Sequence, residues 1–150
     1  MMGPRWAGAL GGLLALGALV LGPPGSAPAQ DSAEVARARQ VLEYYQTCER
    51  TRRFVPCWRL LSGRVQGAWA RQGRGSATDY AEARGADAIR YSDFRVLQIR
   101  RSPARVVFVV EATGSGETNP PRERVEYALL REGGQWKIDG LRVGQSETTP

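Results

Sequence analysis

The chain has 150 residues, with 21 Lys plus Arg against 15 Asp plus Glu, a net charge of +6 and no histidine. Serine-histidine hydrolysis, cysteine-histidine catalysis and the common zinc sites each lack an essential part without an imidazole. All the cations but Lys137 are arginine, and they are dispersed: only Arg52-Arg53 and Arg100-Arg101 are adjacent, with no interleaved aromatics, which argues against a nucleic-acid partner.

Met1 to Ala29 has the grammar of a secretory signal. Arg5 supplies a positive start, Ala7 to Leu21 is an uncharged apolar run, and Ala27-Pro28-Ala29 offers a small-residue cleavage site before Gln30. A membrane anchor is the competing reading, but a spanning helix needs about 20 apolar residues and this run breaks at Gly22-Pro23-Pro24. No cysteine stands near the cleavage site for lipid attachment, and Arg5 is alone, unlike a twin-arginine signal. The expectation is a periplasmic or extracellular protein with no transmembrane helix in its mature form. Residues 30–143 would form one α+β domain, and residues 144–150 a flexible tail.

Asp31 followed by Glu34 has the form of a capping box, and Val35, Ala38, Val41, Leu42, Tyr45 and Cys48 follow at helical spacing. These predict a helix from Ser32 to Arg52. In an oxidising compartment Cys48 and Cys57 are the only possible disulfide partners. Along one unbroken helix their Cα atoms would stand about 13 Å apart, whereas a disulfide needs about 7 Å or less, so the chain must turn between them. Phe54-Val55-Pro56 supplies the break. A redox-active pair is the alternative, but the spacing is not Cys-x-x-Cys and no histidine is near.

Cys57, Leu60, Leu61, Val65 and Trp69 predict a second helix, weakened by Gly63 and Gly67. Ser76 with Asp79 predicts a third through Tyr80 and Ala83, ending near Gly85. From Tyr91 the period changes. Phe94 to Arg100 reads as a strand, Ser102-Pro103 as a turn, and the unbroken apolar run in Arg105 to Thr113 as a central strand covered on both faces, by helices on one and a pocket or partner on the other. Gly114 to Arg122 is a polar loop; Val125, Tyr127 and Leu129 mark a third strand, Gly133-Gly134 a hairpin turn, and Trp136 and Ile138 a fourth. Leu141 and Val143 then fall on the opposite parity, which predicts a β-bulge at Gly140.

Helices followed by an antiparallel meander of about four strands define an α+β fold. With the long first helix, Cys57-Trp58-Arg59-Leu60-Leu61-Ser62, Ala104 to Thr113, Val125 to Arg131 and the closing Trp136-Lys137-Ile138-Asp139-Gly140-Leu141, the chain resembles the nuclear transport factor 2-like (cystatin-like cone) superfamily. That resemblance implies a conical half-barrel wrapped around the long helix, a cavity at its open end and, in many members, a homodimer packed sheet to sheet. It also implies either a binding module or an isomerase, dehydratase or cyclase, without choosing between them.

An isomerase-like site needs a carboxylate base and a neutral acid in an apolar cavity. Tyr44 or Tyr45, with Asp87, Asp93 or Asp139, are the residues to cast, although none sits in a motif that fixes a role and each has an ordinary structural use; no catalytic, ligand or metal residue is assigned. Trp58, Trp69 and Trp136 read as core area before cavity lining. The expected function is therefore an exported, cofactor-free, non-catalytic module binding a small apolar ligand or an envelope protein. A cofactor-independent enzyme and a basic module for anionic envelope polymers are the alternatives.

Overall fold

A computed structural model describes residues 26–87, 90–115 and 120–144, with side chains from Ser32 onward. The apolar run of the expected signal, the loop residues 116–119 and the expected tail beyond Gly144 lie outside the described residues. Three helices precede four strands: α1 (Ser26–Thr51), α2 (Gly63–Arg71), α3 (Ala77–Ala86), then β1 (Tyr91–Ser102), β2 (Arg105–Gly114), β3 (Arg122–Glu132) and β4 (Gln135–Gly144). The strands form one antiparallel sheet in the order β1-β2-β3-β4, an α+β architecture. Among the described residues no helix is long and apolar enough to cross a membrane.

Helix α1 starts at Ser26 rather than the expected Ser32, so the Asp31 backbone lies inside the helix and not at its N-cap position. Pro28 falls in the first turn, where a missing N–H costs no hydrogen bond, so the chain is helical before the expected start. Glu34 is spent elsewhere. It pairs with Arg37 at 2.7 Å and Arg131 at 2.9 Å, and accepts from the Trp136 indole at 3.1 Å.

The expected second helix is divided in two. A 3₁₀ turn over Val55–Leu60, opened by Pro56, ends at extended Leu61, which bridges Ile138 of β4. Ser62 then caps α2, its hydroxyl accepting from the Val65 N–H at 3.3 Å. Ser76 caps α3 in the same way through Asp79 N–H at 3.1 Å, as its sequence predicts. Between α1 and the 3₁₀ turn the chain reverses, bringing the Cα atoms of Cys48 and Cys57 to 6.5 Å and their sulfurs to disulfide distance.

Helix α1 packs across the inner face of the sheet and touches both edge strands, β1 and β4. Its Ala38, Leu42 and Tyr45 meet Val106, Phe108 and Val110 of β2 and Val125, Tyr127 and Leu129 of β3 in one core. On the outer face Val109 is 0% exposed although it lies outside the inner core cluster. Arg100 of β1, opposite Val107, reaches Glu126 of β3, opposite Val109, at 2.7 Å, so an ion pair crosses β2 diagonally above the valines. Arg95 and Glu111 pair at 3.1 Å on the same face. Long charged stems supply the cover.

Gly133 and Gly134 both take positive φ, 57° and 78°, the requirement of a tight hairpin turn that favours glycine. The register slips between Ala128 and Leu129, leaving Asp139 as the extra residue of a bulge beside Gly140. Its carboxylate accepts from Ser62 at 2.8 Å and Arg64 Nε at 3.1 Å and faces Arg105 at 3.5 Å, fastening β4 to the start of α2.

Two outcomes follow for stability. Replacing both Cys48 and Cys57 by Ala should cost about 2 to 3 kcal/mol in the chain-entropy account, and reductant should bring the wild type down to the variant in urea melts. Burial pulls the Asp139 carboxyl up, but its hydrogen bonds with Arg64 and Ser62 outweigh this and hold it below its ordinary 3.8. The stabilisation it gives is therefore complete above about pH 4 and lost as pH falls through the folded-state value. The stability gap between wild type and Asp139→Asn should be widest near neutrality and close in acid, as read by urea melts across that range.

Candidate functional site

Where α1, α2 and α3 meet β4, the core leaves a small cavity of about 120 Å³. Leu61, Val65, Trp69 and Ile138 form apolar walls, and Tyr45, Tyr80 and Arg84 bring polar groups to it. Tyr45 comes from the buried stripe of α1, Tyr80 and Arg84 from successive turns of α3. The tyrosine hydroxyls hydrogen-bond to each other at 2.9 Å. Trp69 stands edge-on to the Tyr80 ring at 5.1 Å and Trp58 is tilted against it at 5.5 Å, while Tyr127 packs edge-on to Tyr45 at 6.1 Å.

Behind the tyrosines lies Glu49, one turn after Tyr45 on α1 and 1% exposed. Arg84 donates to it at 2.5 Å and also pairs with Asp87 at 2.8 Å. Burial raises the Glu49 pKa above its ordinary 4.5, against the opposing pull of Arg84. Burial likewise raises both tyrosines above 10.0, Tyr45 the more, with the neighbouring Glu49 charge adding to each. Both hydroxyls are thus neutral hydrogen-bonding groups at physiological pH. Burial opposes the charge on Arg84, but the Glu49 and Asp87 carboxylates it pairs with outweigh this and keep the guanidinium cationic. Its Nε is buried without a partner.

Of the residues cast from sequence, the structure brings only Tyr45 to this cavity. Tyr44 is 43% exposed and turned away from the core. Asp93 is exposed, Asp87 is a surface partner of Arg84, and Asp139 is consumed in the β4 bulge. The buried carboxylate is Glu49, which the sequence reading passed over. Its signal was present: a charged residue four after Tyr45 falls on the same apolar stripe of the helix. The tryptophans divide, since Trp136 is core and Trp69 is cavity wall. Among the described residues no three His, Cys, Asp or Glu side chains gather as a metal site.

No family model, curated protein or solved structure matches the chain.

Arg84→Met would leave Glu49 buried without its cation, at a cost of about 3 kcal/mol or more. It would also raise the Glu49 pKa further. A folded-state carboxyl pKa above the unfolded value favours folding at low pH and loses that benefit as pH rises through the folded value. The variant should accordingly be more stable at pH 5 than at pH 7, with a steeper slope than wild type, and Glu49→Gln in the same background should flatten it, as measured by thermal melts at each pH.

Proposed function

We propose that the protein is an exported, non-catalytic module of the nuclear transport factor 2-like cone type that binds a small, compact ligand with an apolar body and one hydrogen-bonding end. The observation that carries this reading is the division of labour at the cavity. Apolar and aromatic walls surround neutral Tyr45 and Tyr80 hydroxyls, while the nearby carboxylate of Glu49 is held by Arg84. A base so engaged is ill placed to take a proton from a ligand, whereas a hydroxyl pair suits a carbonyl or alcohol. The apolar run at Ala7 to Leu21 and the Cys48–Cys57 pairing support export. The helices-then-meander order, with α1 touching both edges of the sheet, supports the cone assignment.

A second reading has its own support. Glu49 lies one helical turn from Tyr45, so an inward carboxylate does accompany a tyrosine hydroxyl, the pairing expected of a cofactor-independent isomerase. The polymer-binding alternative has less: Arg95 and Arg100, on the outer sheet face, are already paired with Glu111 and Glu126.

Cyclohexanone, a compact ketone, separates the first two readings. The proposal expects amide NMR shifts at Val65, Trp69 and Leu141, binding about fivefold weaker in Tyr80→Phe from the loss of one hydrogen bond, and α-hydrogen exchange in D₂O no faster than with Glu49→Gln. Exchange accelerated by wild type and abolished by Glu49→Gln would establish the enzyme instead. Absence of any shift would refute ligand binding at this cavity.

A further inference from the structure

The helices and the cavity lie on one side of the sheet, and the other side carries charge. Residues directly opposite each other on neighbouring strands share a face, and Val109 opposes Glu126, which opposes Arg142. Glu111 likewise opposes Arg124, and Thr113 opposes Arg122, so three arginines stand together on the outer face at one corner of the β3–β4 pair. We propose that this corner is a docking surface for an anionic phospholipid bilayer, with Arg122, Arg124 and Arg142 meeting the phosphate headgroups.

The carboxylates beside these arginines are already engaged from β1. Glu126 holds Arg100 at 2.7 Å, and Glu111 holds Arg95 at 3.1 Å with Arg122 farther off at 3.9 Å. Arg124 and Arg142 are exposed and, although each stands opposite one of these acids, make no ion pair among the described residues. Arg122 and Arg124 are two residues apart on β3, about 7 Å, and Arg142 is the diagonal neighbour of Arg124 at about 7 to 8 Å. Like charges set side by side on a sheet repel and destabilise it. An anionic surface outside the molecule turns that repulsion into attraction.

Layout selects among anionic partners. The three arginines form a triangle across two strands, so a planar array of headgroups meets them together, whereas a polymer strand threads a groove or follows a file of cations. Nucleic acid would also need aromatic platforms for its bases. Every aromatic residue of the strands, Tyr91, Phe94, Phe108, Tyr127 and Trp136, packs in or against the inner core instead. A protein interface is built round an apolar centre, but Val109 and Ala128 on this face are already closed to solvent at 0% and 8% exposure. What the corner offers outward is charge. Docking there keeps α1 and the cavity on the far side of the sheet, so the inference is independent of what the cavity binds.

The test is co-sedimentation of the purified protein with vesicles of equal parts phosphatidylcholine and phosphatidylglycerol at low ionic strength. Saturable binding is expected, and it should vanish as salt rises towards about 0.5 M, where charges are screened beyond about 4 Å. Arg124→Gln and Arg142→Gln should each weaken binding about fivefold, the scale of one cation at an anionic membrane surface, and with Arg122→Gln the loss should reach about a hundredfold. Arg142→Lys should restore most of it. Both side chains are exposed, so neither glutamine variant should lower the melting temperature. Arg71→Gln and Arg74→Gln, exposed at and just beyond the end of α2, remove the same charge elsewhere and should leave binding unchanged. The proposal is overturned if the protein does not sediment, if phosphatidylcholine alone retains it equally, if the triple variant binds like wild type, or if Arg71→Gln and Arg74→Gln weaken binding as much. Tighter binding to dextran sulfate than to vesicles of equal anionic charge would give the corner to a soluble polymer and overturn it as well.

Discussion

A carboxylate sealed beneath aromatic rings must find a cation or give up its charge, and Glu49 finds Arg84. That pair joins the long helix to the last one, across a stretch in which the chain reverses, forms a 3₁₀ turn and starts two short helices. Most of the cavity's geometry depends on it. With Arg84 drawn inward, α3 presents Tyr80 to Tyr45, and Tyr80 becomes the centre on which Phe54, Trp58 and Trp69 converge. The Cys48–Cys57 link fixes the same reversal covalently, which narrows the arrangements α3 can take relative to α1.

Helix α1 consequently serves two sides. Tyr45 and Glu49 look toward the short helices and β4, and adjoining positions such as Gln46 and Arg50 look toward β1. A helix turns about 100° per residue, so consecutive residues are enough to address separate surfaces. The sheet is likewise two-sided. Its inner face is sealed by α1, while its outer face is sealed by its own arginines and glutamates laid over Val107 and Val109.

The sheet was the most legible part of the chain. Alternation at Val125, Tyr127 and Leu129, the Gly133-Gly134 turn and the parity change at Gly140 each correspond to an observed feature, because side-chain period and turn chemistry are local. Where the reading went astray, the deciding contact was distant. The stretch from Cys57 to Trp69 has helical periodicity, yet Leu61 leaves the helix to bridge Ile138, more than seventy residues on. The valine run in β2 suggested a pocket or partner over its outer face, and nothing in the sequence marked that Arg100 and Glu126, from the strands on either side, pair across that face. Asp139 looked available for chemistry because nothing near it in sequence reveals Ser62, Arg64 and Arg105. Glu49 was passed over although it falls on the apolar stripe of α1, and the cation that holds it lies thirty-five residues away.

Arg52 shows how tightly the helical half is wired. It follows the last residue of α1 with φ of 59°, a left-handed position usually given to glycine, and so ends that helix with its backbone. Its guanidinium meanwhile donates to the carbonyls of Arg84, Gly85 and Asp87, which terminate α3. One residue thus closes two helices, the first by its dihedral angles and the second by its side chain. Fraying at the end of either loosens the other, so these ends should open to solvent as a single cooperative unit, with matched amide-exchange protection in a region where isolated termini would exchange independently.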